Sequence, residues 1–159
     1  MKNSVLVTLR VLIAALLIGA LLVQAVIIPW LAYAVSSDAP EFTYLAIPYV
    51  AAAVAGIACA QVVLVATLKL TLLVGRGAIF DASSLKWVTL MVRAAAVATL
   101  LTAAVAIHSS FIKGIGPITV PIALLGCAFG AGAFWLILII MRGLLEAAVA
   151  HKVELDEVV

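Results

Sequence analysis

Residues 117–141 read PITVPIALLGCAFGAGAFWLILIIM, an unbroken run without one charged side chain. At 1.5 Å per residue a helix of that length reaches past the roughly 30 Å of hydrocarbon in a bilayer. Three more runs of comparable length lie upstream, at 11–35, 43–68 and 87–107, and only the third of these carries a charge, Arg93. The pattern predicts an all-α membrane protein, an antiparallel bundle of four transmembrane helices.

Composition agrees with that reading. Of 159 residues, 68% are hydrophobic and 10% charged, against roughly 45–50% and about 25% in an ordinary soluble domain. A soluble core of this size cannot hide the excess, so the excess faces the lipid bilayer. A net charge of +2 is too small for the dense basic face that displaces counterions from nucleic acid, which argues against direct nucleic-acid binding. Cys59 and Cys127 sit inside apolar runs with no second ligand at metal spacing, so they read as packing or lipid-phase residues and no metal is expected. Lys2 and Arg10 precede an apolar run ending in Ala32, Tyr33 and Ala34, which resembles a secretory signal. That run exceeds the roughly 7–15 residues of a signal core, and the expectation is an uncleaved first span.

The connectors are short and rich in turn chemistry. Asp38, Pro40 and Glu41 occupy the first, Gly75, Arg76 and Gly77 the second, and Lys113, Gly114 and Gly116 the third. Asp81, followed by Ser83 and Ser84, is placed to cap the third helix. No linker or repeat divides the chain, so 1–159 reads as a single domain whose short loops force antiparallel neighbours. Basic residues in short loops stay on the cytoplasmic side. Lys2, Arg10, Lys69, Arg76, Lys86, Arg93, Arg142 and Lys152 fall on one side and Lys113 alone on the other. Both termini are therefore expected in the cytoplasm. Trp30, Tyr33, Phe42, Tyr44 and Tyr49 cluster at the outer boundary and Trp87 at the inner one, as interfacial aromatics do.

Lys69 to Asp81 (KLTLLVGRGAIFD), the amphipathic stretch that follows, and the acidic close VELDEVV at 153–159 together resemble the bacterial domain-of-unknown-function 2975 family. The resemblance implies a small four-span protein of a bacterial cytoplasmic membrane. It implies no catalytic residues, since that family has no established activity. Members are often encoded beside a small helix-turn-helix protein, so a regulatory pair with such a partner at the cytoplasmic face is the implied setting. The tail here is unusually acidic for that pattern.

Several residues could carry function within the spans. Arg93 lies seven positions past Lys86, about 10 Å along the helix, and Gln61 lies eight before Lys69, about 12 Å along its own. Two readings are open: Arg93 hydrogen-bonds Gln61 inside the bundle, or it snorkels to the inner headgroups, the commoner behaviour of a long side chain near a span end. Gln24 is about 21 Å from Arg10, which predicts a depth it does not share with Gln61 and a lone interhelical hydrogen bond. His108 reads as an interfacial histidine with no acidic neighbour in sequence. Small residues recur four apart: Ala15 and Gly19; Ala52, Gly56 and Ala60; Ala94, Ala98, Thr102 and Ala106; Gly126 and Gly130. Such ridges let helices approach closely, and of the four the Gly126–Gly130 ridge is the candidate for a homo-oligomer contact.

The fourth helix continues past Arg142, which can pair with Glu146 one turn on. It is expected to project into the cytoplasm and end near His151. Beyond it the alternation of Val153 and Leu155 with Glu154 and Asp156 is the period of an extended segment. Glu154, Asp156 and Glu157 then form an acidic tail, either solvated or docking a partner. Ser83, Ser84, Ser109 and Ser110 lack a paired base and Asp81 a second carboxylate, so the expected class is a non-enzymatic regulatory or accessory protein without a cofactor. A small transporter or channel component is the alternative, with Gln24, Gln61 and Arg93 as its polar lining.

Overall fold

A computed structural model describes residues 2–38, 43–75, 82–111 and 119–157. Every described element is helical: α1 (Lys2–Leu22), a π-helical turn (Val23–Ile27), α2 (Ile28–Asp38), α3 (Thr43–Gly75), α4 (Ala82–Phe111) and α5 (Thr119–Glu157). They contain four stretches long and apolar enough to cross a membrane, at Ser4–Ala34, Ile47–Gly75, Ser83–Phe111 and Val120–His151. The four expected spans are present, each longer than its apolar run. Asp81, the expected cap of α4, and Lys113 lie outside the described residues.

The first span departs from a plain α-helix. Pro29 has no N–H to offer the carbonyl of Ala25, and its ring clashes with that carbonyl in regular α geometry. The chain widens one turn instead, and the Ile28 N–H reaches back five residues to Val23 O. Gln24 lies inside this π turn.

The tail is a second departure. Residues 153–157 are the end of α5, so the alternation of Val153 and Leu155 does not make an extended strand. A helix already under way adds a hydrogen bond for each residue fixed, and this propagation outweighs a local two-residue period. With 39 residues α5 is about 58 Å long, nearly twice a hydrocarbon core.

Packing follows chain order. The extensive contacts are α4 with α5, α3 with α4, and the first span with α3. On α4 the buried positions Ser84, Val88, Met91, Ala94, Ala95, Ala106 and Ser109 fall within about 120° of arc at ~100° per residue. Both neighbours meet that one face. Met91 and Ala95 form a core with Ala66 of α3 and Leu138 of α5, flanked by Val63, Leu70, Trp87, Val92 and Trp135. Lipid tails are as apolar as leucine, so this core is held by close contact rather than by expulsion of water. Ala66 and Ala95 contribute to that closeness by keeping side-chain bulk out of the contact. The first span sits on the other side of α3, and Ile13 is its one buried side chain among the described residues.

Several threonine and serine hydroxyls within the spans are satisfied locally. Thr67, Thr71, Thr99 and Thr102 each donate to the carbonyl four residues back at 2.8–2.9 Å, to Val63, Thr67, Ala95 and Ala98. Ser110 donates to Ala106 O at 2.7 Å. A hydroxyl used this way stands in apolar surroundings without opening a polar path between helices.

Candidate functional site

Two glutamines meet inside the membrane. Gln61 Nε2 of α3 donates to Gln24 Oε1 at 3.1 Å, and Gln24 Nε2 donates to Val54 O of α3 at 3.1 Å. Gln61 stands fourteen residues from each end of the span Ile47–Gly75, so the pair lies near the midplane. The expectation that Gln24 and Gln61 occupy different depths is therefore overturned. Its flaw was the reference level. Arg10 is not level with Lys69: its Nη2 reaches Thr71 O at 3.5 Å, and a Cβ on Gly75 would stand 3.2 Å from the same nitrogen. From Gly75 to Gln61 is fourteen residues, about 21 Å, the same axial distance as Arg10 to Gln24.

Gln61 consequently does not hydrogen-bond Arg93. Arg93 is exposed, and at ~100° per residue it lies opposite the buried face of α4, alongside Val97 and Leu100. Of the two readings of Arg93, the one that sends it away from the bundle fits this placement. Arg10 does structural work unseen in the sequence: it lies at the C-terminal end of α3, where free carbonyls and the helix dipole favour a cation. Thr71 is itself buried, so the arginine ties the first span to α3 at one end while the glutamines tie it in the middle.

The two ends of the helices carry further polar contacts. Lys69 Nζ stands 6.0 Å from the Trp87 ring centre, an α3–α4 contact at the end bearing the basic residues. At the opposite end the Tyr49 hydroxyl and His108 Nδ1 lie 2.9 Å apart, with ring centres 5.8 Å apart and planes inclined by 52°. His108 is thus partnered across α3 and α4, which no spacing in the sequence signalled. The expected Arg142–Glu146 pair is present: Nε and Nη2 both donate to Oε1, at 3.0 and 2.8 Å, on an exposed face of α5.

The glycine ridges are distributed differently from the packing contacts. A side chain at Gly19, Gly56, Gly126 or Gly130 would meet nothing within 4 Å, whereas one at Gly132 would stand 3.7 Å from Thr99 Cγ2. Of these glycines Gly132, not Gly126 or Gly130, faces α4. Ala94 and Ala106 are the ridge positions that are buried. Cys59 is half-buried and Cys127 exposed, both as free thiols. The side chains of Glu154, Asp156 and Glu157 lie outside the described residues, though their backbone belongs to α5.

A family model described as "Protein of unknown function (DUF2975)" matches residues 30–159. The chain belongs to that family, as the stretch Lys69 to Asp81 and the tail had suggested. No curated protein and no solved structure matches it.

Proposed function

We propose that this DUF2975 member is a non-enzymatic regulatory or accessory protein of a bacterial cytoplasmic membrane, with both termini in the cytoplasm. Its partner, on this reading, is a small helix-turn-helix protein that meets the far end of α5. The observation that carries the reading is the length of α5. A hydrocarbon core takes about 20 residues, and α5 has 39, continuing past the exposed Arg142–Glu146 pair to Glu157. Val149 is still buried, so the fold supports α5 well beyond the length a hydrocarbon core takes, which supports a cytoplasmic extension. The sequence at the end of α5, with Glu154, Asp156 and Glu157, has the charge opposite to the basic face a DNA-binding protein carries. It needs no nucleic-acid contact of its own.

The alternative, a transporter or channel component, requires a water-accessible polar path. Gln24 and Gln61 spend hydrogen bonds on each other and on Val54 O, and Arg93 faces away from them. That distribution favours the accessory reading. Pull-downs from the native host with full-length protein, with 154–159 deleted, and with Glu154, Asp156 and Glu157 replaced by lysine test it. Deletion and charge reversal should each abolish recovery of the cytoplasmic partner at low salt while the four spans still fold. Equal recovery with all three chains would show that the end of α5 is not the docking element.

A further inference from the structure

We propose that Arg93 and Lys86 bind the phosphate of an anionic phospholipid, in the leaflet at the N-terminal end of α4. The two stand seven residues apart, which at ~100° per residue leaves them about 20° from alignment on one face. Both are exposed. Leu90, Val97, Leu100 and Ile107 share that face and are exposed too, while the core of α4 lies on the opposite side. Among the described residues neither Arg93 nor Lys86 has a hydrogen-bond or ion-pair partner.

Depth makes this arrangement informative. Trp87, with Lys69 Nζ against its ring, marks the polar boundary, and Arg93 is six residues further in, about 9 Å along the axis. A guanidinium at that depth is costly unless it reaches an anion or water. Helical side chains lean toward the N-terminus of their helix, and the N-terminus of α4 is the end that holds Lys86. Arg93 therefore reaches back toward the headgroups, and Lys86 closes the same space from the polar side. A guanidinium offers paired N–H groups that match two oxygens of a phosphodiester, and the ammonium adds a second charge. The source is a lipid, because Leu90 and Val97 flank the cations with surface suited to acyl chains. Free phosphate would have to enter hydrocarbon with its charge unshielded.

Native mass spectrometry of the full-length protein, reconstituted in equimolar phosphatidylglycerol and phosphatidylcholine, reads the site directly. The wild type should retain the anionic lipid about tenfold over the zwitterionic one, as expected for a paired charge-assisted contact. Arg93→Gln should bring the ratio near one. Arg93→Lys and Lys86→Gln should lower it partway, and Arg142→Gln should leave it unchanged. Millimolar inorganic phosphate and glycerol phosphate should not displace the lipid. Equal retention of the two lipids by the wild type, or an undiminished ratio in Arg93→Gln, would overturn the proposal. Displacement by either soluble phosphate would assign the site to a soluble anion instead. Should Arg93→Gln lose helicity, the two charge-conserving or boundary variants, Arg93→Lys and Lys86→Gln, decide the matter.

Discussion

Replacing Gln61 with leucine deletes the donor that meets Gln24 Oε1 at 3.1 Å, while Gln24 Nε2 keeps Val54 O. Replacing Gln24 instead removes both contacts. Interhelical hydrogen bonds in membrane proteins average about 0.6 kcal/mol and reach about 1.7, less than vacuum values because helices separated in the bilayer find other partners. Gln61→Leu should therefore cost about 0.6–1.7 kcal/mol and Gln24→Leu, with two bonds lost, about 1–3. The double variant should cost no more than Gln24→Leu alone, since the shared bond is already gone. The two singles then overshoot the double by about 0.6–1.7 kcal/mol, beyond the ~0.3–0.5 within which independent sites add. Reversible unfolding of the four proteins in mixed micelles, followed by tryptophan fluorescence, gives the cycle. If the double costs the sum of the singles, the two amides are not coupled and the midplane contact is wrong.

Two further outcomes are expected. Gly132→Leu should destabilise the α4–α5 contact by about 1–3 kcal/mol through overpacking against Thr99, whereas Gly126→Leu, with open space around it, should leave the unfolding midpoint unchanged. If Gly126→Leu also abolishes cross-linked dimers in native membranes, the exposed ridge joins copies of the chain; if dimers persist, that use of the ridge is excluded. Single cysteines at positions 37 and 114, without Cys59 and Cys127, should react with an impermeant thiol reagent in intact cells while position 83 stays unlabelled, and the opposite pattern would invert the topology.

The spans were legible because hydrocarbon thickness imposes a length that few other structures need, and the charges fall between apolar runs with little overlap. The helix ends were less so. Apolar content stops at the membrane boundary, but α3 runs on to Gly75 and α5 to Glu157, since a helix in progress continues through polar residues of good propensity. The Arg142–Glu146 pair was legible from spacing on one helix. Contacts between helices were not. Gln24–Gln61, Arg10–Thr71 and Tyr49–His108 depend on axial offsets between neighbours, and an offset misjudged by a turn moves a side chain about 5 Å. Pro29 was visible throughout. Its consequence, a π turn containing Gln24, follows from the missing N–H and could have been anticipated at Ala25.

The distribution of contacts makes the first span different in kind from the other three. α3, α4 and α5 share a core of Ala66, Met91, Ala95 and Leu138 flanked by larger apolar side chains, an interdigitation that is hard to reproduce in any other arrangement. The first span is held instead by the packing of Ile13 and by hydrogen bonds at two heights, Arg10 to Thr71 O and Gln24 to Val54 O and Gln61. Hydrogen bonds of this sort exchange partners within a membrane more readily than an interdigitated core does, and the π turn that contains Gln24 adds a point at which the helix departs from regular α geometry. Local opening free energies follow the density of such contacts. The first span is accordingly the element that can separate from its neighbours at least cost. It joins the rest through α3, where Thr71 O accepts from Arg10 near the C-terminal end of that helix.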